Sequence, residues 1–467
     1  MCSWLPVFIQ DLFVVDAIGW IFASVFGFIG ILAFIYSFSY MKKYTHLGEY
    51  YLAFVLLILS LIGLSFSRNL ILIYIFWELV AFSTWRLVGF HREPEAVKIA
   101  DKTFLIMFFG SCMMLLGFIL LYFNFDTFDI LEMRGLFIAG LAKPSVMTMV
   151  LIFLGIIAKS ATIPLHTWLA DAHPVAPSPM SAVLSGLVAK VGILGFVRIF
   201  VQTFGLTNNW ILILAGISSI TAAGAAMLEN DMKRIIAYST VSQLGYIFLG
   251  LGLMTNLGII SGLLYFMAHA IAKAGLFLCA GIVERSTGER DIRKLGGLIK
   301  SMPVTGVSFL FCTLSIMGIP PFFGFYPKLG TIMGLVEKGH FYIAILSIII
   351  AIMTILYLMR IFNAVFLGTN EVSRASSPTT SSGRVYSANK VSRASSTTTS
   401  SGRVYSANKV SRASSPTTGS GRVYSANIEG TKLMLAVVII LATLSLQLGL
   451  FINIPLDFVQ GAVNIIR

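Results

Sequence analysis

Charge is scarce in this sequence. Only 11% of the 467 residues are Asp, Glu, Lys or Arg, while 57% are hydrophobic. Soluble domains carry roughly 25% charged and about 45–50% apolar residues. A soluble core has no room for so much apolar surface, so the excess must face lipid. Cysteine is also scarce. Cys2, Cys112, Cys279 and Cys312 show no paired spacing, and three of them sit in apolar runs. There a small hydrophobic role is expected, not a disulfide or a metal site. No CxxC pair, haem attachment motif or glycine-rich strand-to-helix loop is present. No cofactor and no catalytic site are therefore expected in this chain. The first sixteen residues lack a basic stretch, so no cleavable signal peptide is expected.

Long apolar runs are abundant. Twelve stretches of about 20 residues read as membrane spans. They lie at 17–40, 49–66, 69–90, 103–123, 146–164, 179–202, 210–229, 233–254, 257–283, 303–334, 341–367 and 431–453. The fold class expected is all-α integral membrane. With the N-terminus outside, the inside loops carry Lys42, Lys43, Arg92, Lys98, Lys102, Lys233, Arg234, Arg285, Arg290, Arg293, Lys294 and Lys300. The outside segments carry only Arg68, Arg134, Lys143, Lys338 and Arg467. Lys and Arg favour the cytoplasmic side, which places both termini outside in a cytoplasmic membrane.

The chain divides into an N-terminal segment 1–16, a transmembrane core 17–367, a polar segment 368–430, and a last span with its tail, 431–467. The polar segment holds three near-copies of a 19-residue unit starting at Val372, Val391 and Val410, the first reading VSRASSPTTSSGRVYSANK. These Ser/Thr/Arg-rich repeats contain no acid and cannot bury a core, so a disordered cytoplasmic loop is expected. Their arginines and lysines could alternatively meet anionic lipid headgroups.

Seven basic residues fall within spans or at their ends: Arg86, Lys159, Lys190, Arg198, Lys273, Lys328 and Arg360. The three arginines lie near span ends and are expected to snorkel towards the headgroups. The four lysines lie inside, and a charge at the centre of a membrane helix costs about 2.5–3.5 kcal/mol or more. Among 20 acids, only Glu78 sits well inside a span. One carboxylate cannot balance four ammonium groups, and burial disfavours the charged form. Lysines that gain and lose a proton resolve the imbalance, which points to an ion pathway. A packing role for the buried charges is the alternative.

Two spans read as broken. In the fifth, Pro164 follows Lys159; in the tenth, Pro320 and Pro321 interrupt MGIPPFFGF. Proline removes a backbone donor, and broken helices survive at membrane depth only where protein or water satisfies the freed groups. Paired breaks also suggest an inverted repeat with the transport path between its halves. His269 precedes Lys273 by four residues on one helix face. His166 and His173 flank Asp171 after the first break. These four are candidate relay groups, with structural hydrogen bonding as the alternative.

The run AKSATIPLHTWLADAHPVAPSPMSAVL resembles the signature of the antiporter-like membrane subunits of respiratory complex I, Mrp-type cation/proton antiporters and energy-converting membrane-bound hydrogenases. Further matching runs are FWEL at 76–79, NDMKRIIAYSTVSQLGY at 230–246, HAIAKAGLFLCAG at 269–281 and GIPPFFGFYPK at 318–328, in the family's order. The resemblance implies a proton path through Glu78, Lys159, Lys190, Lys273 and Lys328. In it a Glu78–Lys159 pair acts as an electrostatic switch, Lys190 and Lys273 form the central axis, and Lys328 stands at the exit. It also implies partner subunits: membrane and redox neighbours with iron–sulfur clusters and NiFe in a redox-driven complex, or antiporter neighbours and Na+ in an Mrp-type exchanger. The lysines at 190 and 328 look more like the hydrogenase and Mrp branches than complex I itself.

The chain also departs from the family pattern. Family members have fourteen helices with the glutamate on the fifth, whereas Glu78 falls on the third span here, so two helices are expected to be missing. Arg86 lies eight residues after Glu78, about 12 Å along the same face, where it could weaken the switch. No long lateral helix is expected after the last span, since only fourteen residues follow 453. Three readings follow: a proton-translocating subunit of a redox-driven complex, an Mrp-type Na+/H+ antiporter subunit, and a non-conducting structural subunit.

Overall fold

The computed structural model describes residues 12–206, 209–368 and 429–466. The expectations for residues 1–11 and for the 19-residue repeats lie outside the described residues. The described residues form helices joined by short turns, with isolated backbone bridges and no strand. In chain order the helices are α1 (Ala17–Tyr40), α2 (Leu47–Phe66), α3 (Leu70–Val88), α4 (Pro94–Phe125), α5 (Ile130–Ile138), α6 (Val146–Lys159), α7 (Thr167–Val175), α8 (Ser178–Gly186) and α9 (Val191–Phe196). They continue as α10 (Asn209–Leu228), α11 (Met232–Gly252), α12 (Asn256–Thr287), α13 (Pro303–Met317), α14 (Phe325–Glu337), α15 (Phe341–Phe362), α16 (Lys432–Leu450) and α17 (Asn453–Ile466).

Polar caps set most of the starts. Side chains of Asp16, Asn69, Asp129, Ser145, Asp231, Thr255 and Thr431 accept from first-turn N–H groups, which satisfies donors the helix itself leaves free. Pro94 and Pro303 occupy first-turn positions, where the missing N–H costs nothing.

Ten segments are long and apolar enough to cross a membrane, and α6 and α13 are shorter apolar helices. The ten, with the interrupted pairs α6/α7 and α13/α14, are the twelve spans expected. Both breaks lie where the prolines place them. A third break carries no proline and was not expected. The sixth span leaves helical geometry at Leu187 (φ −124°, ψ −60°), makes one 3-10 turn over Val188–Lys190, and ends as a π-helix over Val197–Thr203. After the last span, the short helix α17 packs against α12 and α1. Its buried Pro455, Val459, Ala462 and Val463 recur at helical spacing. A search for 20-residue apolar runs passes over such a 14-residue amphipathic helix.

Two halves share a plan. Leu70 and Ile130 exchange backbone hydrogen bonds with Phe128 and Arg68, closing a bridge between Asn69 and Asp129 around α3 and α4. Met232 and Ile292 do the same with Arg290 and Asn230, closing a bridge between Asp231 and Asp291 around α11 and α12. Both α4 and α12 have 32 residues, and a broken helix follows each bridge. The third and eighth spans are five crossings apart, an odd number, so the halves run in opposite senses. This is the inverted repeat that the paired breaks suggested.

The span from Ser178 to Thr203, with α11 and α12, is almost wholly buried. Helices that are buried all round form the centre of a large assembly. They hold Lys190 and Lys273 away from lipid behind the other spans.

Candidate functional site: a row of buried lysines

All four intramembrane lysines are buried, with 0% exposure for Lys159, Lys190 and Lys273 and 4% for Lys328. Each ammonium points at a backbone carbonyl. Lys159 ends α6, and its Nζ donates to the carbonyl of Trp77 on α3 at 3.0 Å. Glu78, the next residue, lies about 100° further round the helix, and it is half-buried while Trp77 is buried. No ion pair within 4.0 Å joins Glu78 to Lys159. Glu78 Oε1 is buried without a hydrogen-bond partner. The Lys159 ammonium on α6 therefore meets α3 at the residue next to Glu78, and lysine and carboxylate are not paired.

Lys190 and Lys273 are joined through α11. The break at Leu187 frees the Ser185 carbonyl, which accepts from Lys190 Nζ. The Ser185 hydroxyl lies 2.7 Å from Thr240 Oγ1. Thr240 Oγ1 and Lys273 Nζ both donate to the carbonyl of Ile236, at 3.1 and 3.0 Å. Lys273 also donates to the Ser239 hydroxyl. The two central lysines thus sit on neighbouring polar groups, with the bonded hydroxyls of Ser185 and Thr240 between them, but the acceptor carbonyls of Ser185 and Ile236 interrupt the run. No such set of bonds lies between Lys159 and Lys190 among the described residues.

The second break builds the place of Lys328. Helix α13 ends at Gly318 (φ +77°), leaving the last carbonyls without intrahelical partners. Lys328 Nζ takes up those of Ile316, at 2.7 Å, and Met317, at 3.4 Å. Between Lys273 and Lys328 lies a polar cluster on α11, α12 and α15. Tyr265 donates to the Gln243 side-chain oxygen, and the Gln243 amide reaches Thr354 at 3.0 Å and Tyr357 at 3.4 Å.

Carbonyl and hydroxyl partners have a chemical consequence. A carbonyl accepts from an ammonium and, more weakly, from a neutral amine, so a lysine seated on one keeps a partner when its protonation changes. A carboxylate partner would favour the charged form more strongly.

The histidines divide. His269 and His173 are fully buried, and neither ring nitrogen of either has a partner. His269 lies within electrostatic reach of Lys190, Lys273 and Lys328. His173 stacks on Phe277, with centroids 4.1 Å apart. His166 precedes α7 and leaves Nδ1 unpartnered. Asp171 stands apart from the row, bonded to Lys102 at 2.7 Å and Arg234 at 3.2 Å. It lines a charged cavity of about 640 Å³ with Tyr40, His91, Lys233, Glu284 and Arg290.

That vestibule holds residues the sequence had placed in loops or at span ends. Lys233 is 1% exposed and pairs with Glu284 at 2.7 Å. The Ser178 hydroxyl joins them, 3.3 Å from Glu284 and 3.2 Å from Tyr40 Oη. The run YSTVSQLGY at 238–246, polar within an apolar span, was the available signal for the α11 groups.

The arginines differ from the expectation of snorkelling. Arg86 turns to Glu49 on α2, which also binds Arg92 at 2.6 Å, so it is not poised against Glu78. Arg198 is 1% exposed and grips Asp16 with two nitrogens, at 2.5 and 2.9 Å, while bonding Gln202 and the Ser65 carbonyl. Arg360 caps α10 by donating to the carbonyls of Ala226, Met227 and Glu229. Each guanidinium finds its partners inside the protein.

Known proteins are similar to this chain in sequence and in fold. The family described as NADH:quinone oxidoreductase/Mrp antiporter, transmembrane, matches residues 67–354. A Na+/H+ antiporter protein of Alkalihalophilus pseudofirmus is 35% identical over 389 residues, covering 76% of this chain and 48% of that protein. Its counterpart in Staphylococcus haemolyticus is 33% identical over 404 residues, covering 79% and 49%. The chain spans about half the length of these curated relatives. Among solved structures, the fold matches a chain of the Mrp complex from Dietzia sp. DQ12-45-1b with a TM-score of 0.80 and 22% identity, over 97% of this chain and 84% of that one. A chain of the membrane-bound sulfane sulfur reductase, an archaeal respiratory membrane complex, matches with a TM-score of 0.75 and 21% identity, over 94% and 65%. At those identities the likeness speaks for the fold alone. The family match takes in Glu78 and all four buried lysines, and the chain belongs to the NADH:quinone oxidoreductase/Mrp antiporter transmembrane family.

Proposed function

We propose that this chain is an ion-translocating subunit of a multisubunit membrane complex, passing protons along Glu78, Lys159, Lys190, Lys273 and Lys328. The observation that carries the reading is the set of four lysines buried within the membrane spans, each seated on a backbone carbonyl. Among the described residues, none of the four is paired with a carboxylate, which would fix the charged form. The charged vestibule, with Lys233 and Glu284 at its floor and His173 nearby, is the entrance we assign from the cytoplasmic side. His269 serves the middle of the row. The chain itself makes and breaks no covalent bond, and both termini face outside.

The driver is read from the relatives. The curated proteins at 33–35% identity bear the name of Na+/H+ antiporter subunits, which favours exchange of Na+ for protons with antiporter subunits as neighbours. The likeness to the sulfane sulfur reductase supports a second reading, in which redox subunits carrying iron–sulfur clusters or NiFe drive the same path.

The test is ion uptake by vesicles containing the purified complex, followed with pH and sodium dyes. Uptake would be driven once by an imposed sodium gradient and once by an electron donor. Lys159→Ala, Lys190→Ala and Glu78→Gln are expected to cut uptake by at least about tenfold, the scale of losing a positioned proton-transfer group, while the complex stays assembled. Unchanged uptake in an assembled Lys190→Ala complex would leave only the structural role.

A further inference from the structure

The four lysines are not seated alike. Lys159 Nζ lies 5.4 Å from the ring centroid of Trp77. Lys328 Nζ lies 5.4 Å from that of Tyr246 and 5.6 Å from that of Tyr265. Among the described residues, Lys190 and Lys273 have no ring at such a distance. The ring-held lysines are the two beside the proline breaks, at the two ends of the row. All three rings are buried, at 0–1% exposure.

The rings do not stand there for their polar atoms. Trp77 Nε1 and Tyr246 Oη have no hydrogen-bond partner, although buried aromatic N–H and O–H groups ordinarily find one. Both side chains accept an orphaned polar atom in exchange for a ring face against an ammonium. Tyr265 is anchored differently, its hydroxyl donating to Gln243, which Thr354 and Tyr357 brace. The negative face of an aromatic ring attracts a cation, most strongly where water is excluded. No carboxylate pairs with either lysine to perform that task.

We propose that Trp77 and the Tyr246–Tyr265 pair are positioning residues whose ring faces hold Lys159 and Lys328 in the ammonium form. The row would then begin and end on seats that favour a bound proton, with two seats between them that do not. The proposal rests on the proton path described above. Around Lys328 the other titratable groups are His269 and Lys273 on α12, with Tyr357 on α15 one hydrogen bond further out. Around Lys159 it is Glu78 on α3.

The experiment measures ion uptake against pH in vesicles holding the whole complex. Tyr246→Leu removes a ring face, and Tyr246→Phe keeps it while removing the unpartnered hydroxyl. Losing an interaction specific to the charged form empties the seat at lower pH. The alkaline limb of the leucine profile is therefore expected about one pH unit lower, with phenylalanine matching wild type. At the other end, tryptophans carrying one, two and three fluorines, incorporated only at position 77, keep the shape and weaken the ring face. The limb should move in steps along that series, a readout that survives if Tyr246→Leu does not assemble. An unmoved limb across the fluorinated series, or equal profiles for Tyr246→Leu and Tyr246→Phe, would overturn the proposal. Lys328→Ala separates the two levels. If it leaves uptake intact the path itself is wrong, whereas if it abolishes uptake while the ring changes do nothing, only the ring-face role is lost.

Discussion

At the scale of single residues, the buried lysines were legible because a charge in an apolar run is costly and therefore conspicuous. Their partners were not legible. Every residue carries a carbonyl, so Trp77, Ser185, Ile236 and Ile316 give no sign in the sequence that theirs accept an ammonium. The same contrast holds for Arg198. Its position near a span end was plain, but its clasp on Asp16, 182 residues away, was not. Burial alone would raise the Asp16 carboxyl, but bonds from and the charge of Arg198, with Gln202 and the Gly19 N–H, outweigh it and hold the group below the usual carboxylate range. A depressed folded value stabilises the fold fully above about pH 4 and progressively less below it. Arg198→Ala should cost about 3–5 kcal/mol by leaving one partner buried and uncompensated. It should also flatten that acid limb, as read by thermal melts in detergent at several pH values. Packing gives a second prediction at this scale. A Cβ on Gly449 would lie 2.1 Å from the Pro321 carbonyl oxygen and 2.6 Å from Phe323 N, all backbone at the second break. Gly449→Ala should destabilise by about 1–3 kcal/mol. Gly27→Ala, with nothing within 4 Å, should be neutral or stabilising by up to about 1 kcal/mol.

At the scale of elements, proline made two breaks visible in advance and its absence hid the third. The segment SGLVAKVGILGF has the composition of an ordinary apolar helix, and only the tertiary setting of Leu187 and Lys190 reveals the interruption. The breaks matter because each exposes carbonyls that a continuous helix would consume. Gly318 is the hinge at the second break. Its left-handed φ of +77° ends α13, and a Cβ there would approach Lys328 Cδ to 2.8 Å. Gly318→Ala should cost about 1–2 kcal/mol in backbone strain and shift Lys328 from the Ile316 carbonyl. Uptake is expected to fall several-fold, beyond what the stability loss explains. A variant that melts earlier but transports at the wild-type rate would separate the helix end from the lysine it seats.

At the scale of the whole molecule, the twelve spans and the inverted repeat were legible from run length and paired breaks, since both follow from the bilayer's demand that backbone groups be satisfied. The vestibule was not legible, because it gathers Asp171, Lys233, and Glu284 with Arg290, from three separate stretches of chain. All lie on the side that the basic residues mark as cytoplasmic. Lys98→Cys at an exposed site on α4 should therefore react with an impermeant maleimide only from the cytoplasm. Tyr342→Cys, at a residue 90% exposed before α15 turns back, should react only from outside. Opposite labelling would invert the assigned topology. The repeat has an electrical consequence. Glu78 and Lys273 sit near the middles of α3 and α12, Lys190 near the middle of its span, and Lys159 and Lys328 beside breaks within theirs. A row through the middles of the spans would run along the plane of the bilayer. If the proposed path holds, a charge moving along it would do little work against the membrane voltage. On the proposed path the whole cost, about 2.3 kcal/mol per charge per 100 mV, would fall on the short legs that lead in from the vestibule and out past Lys328.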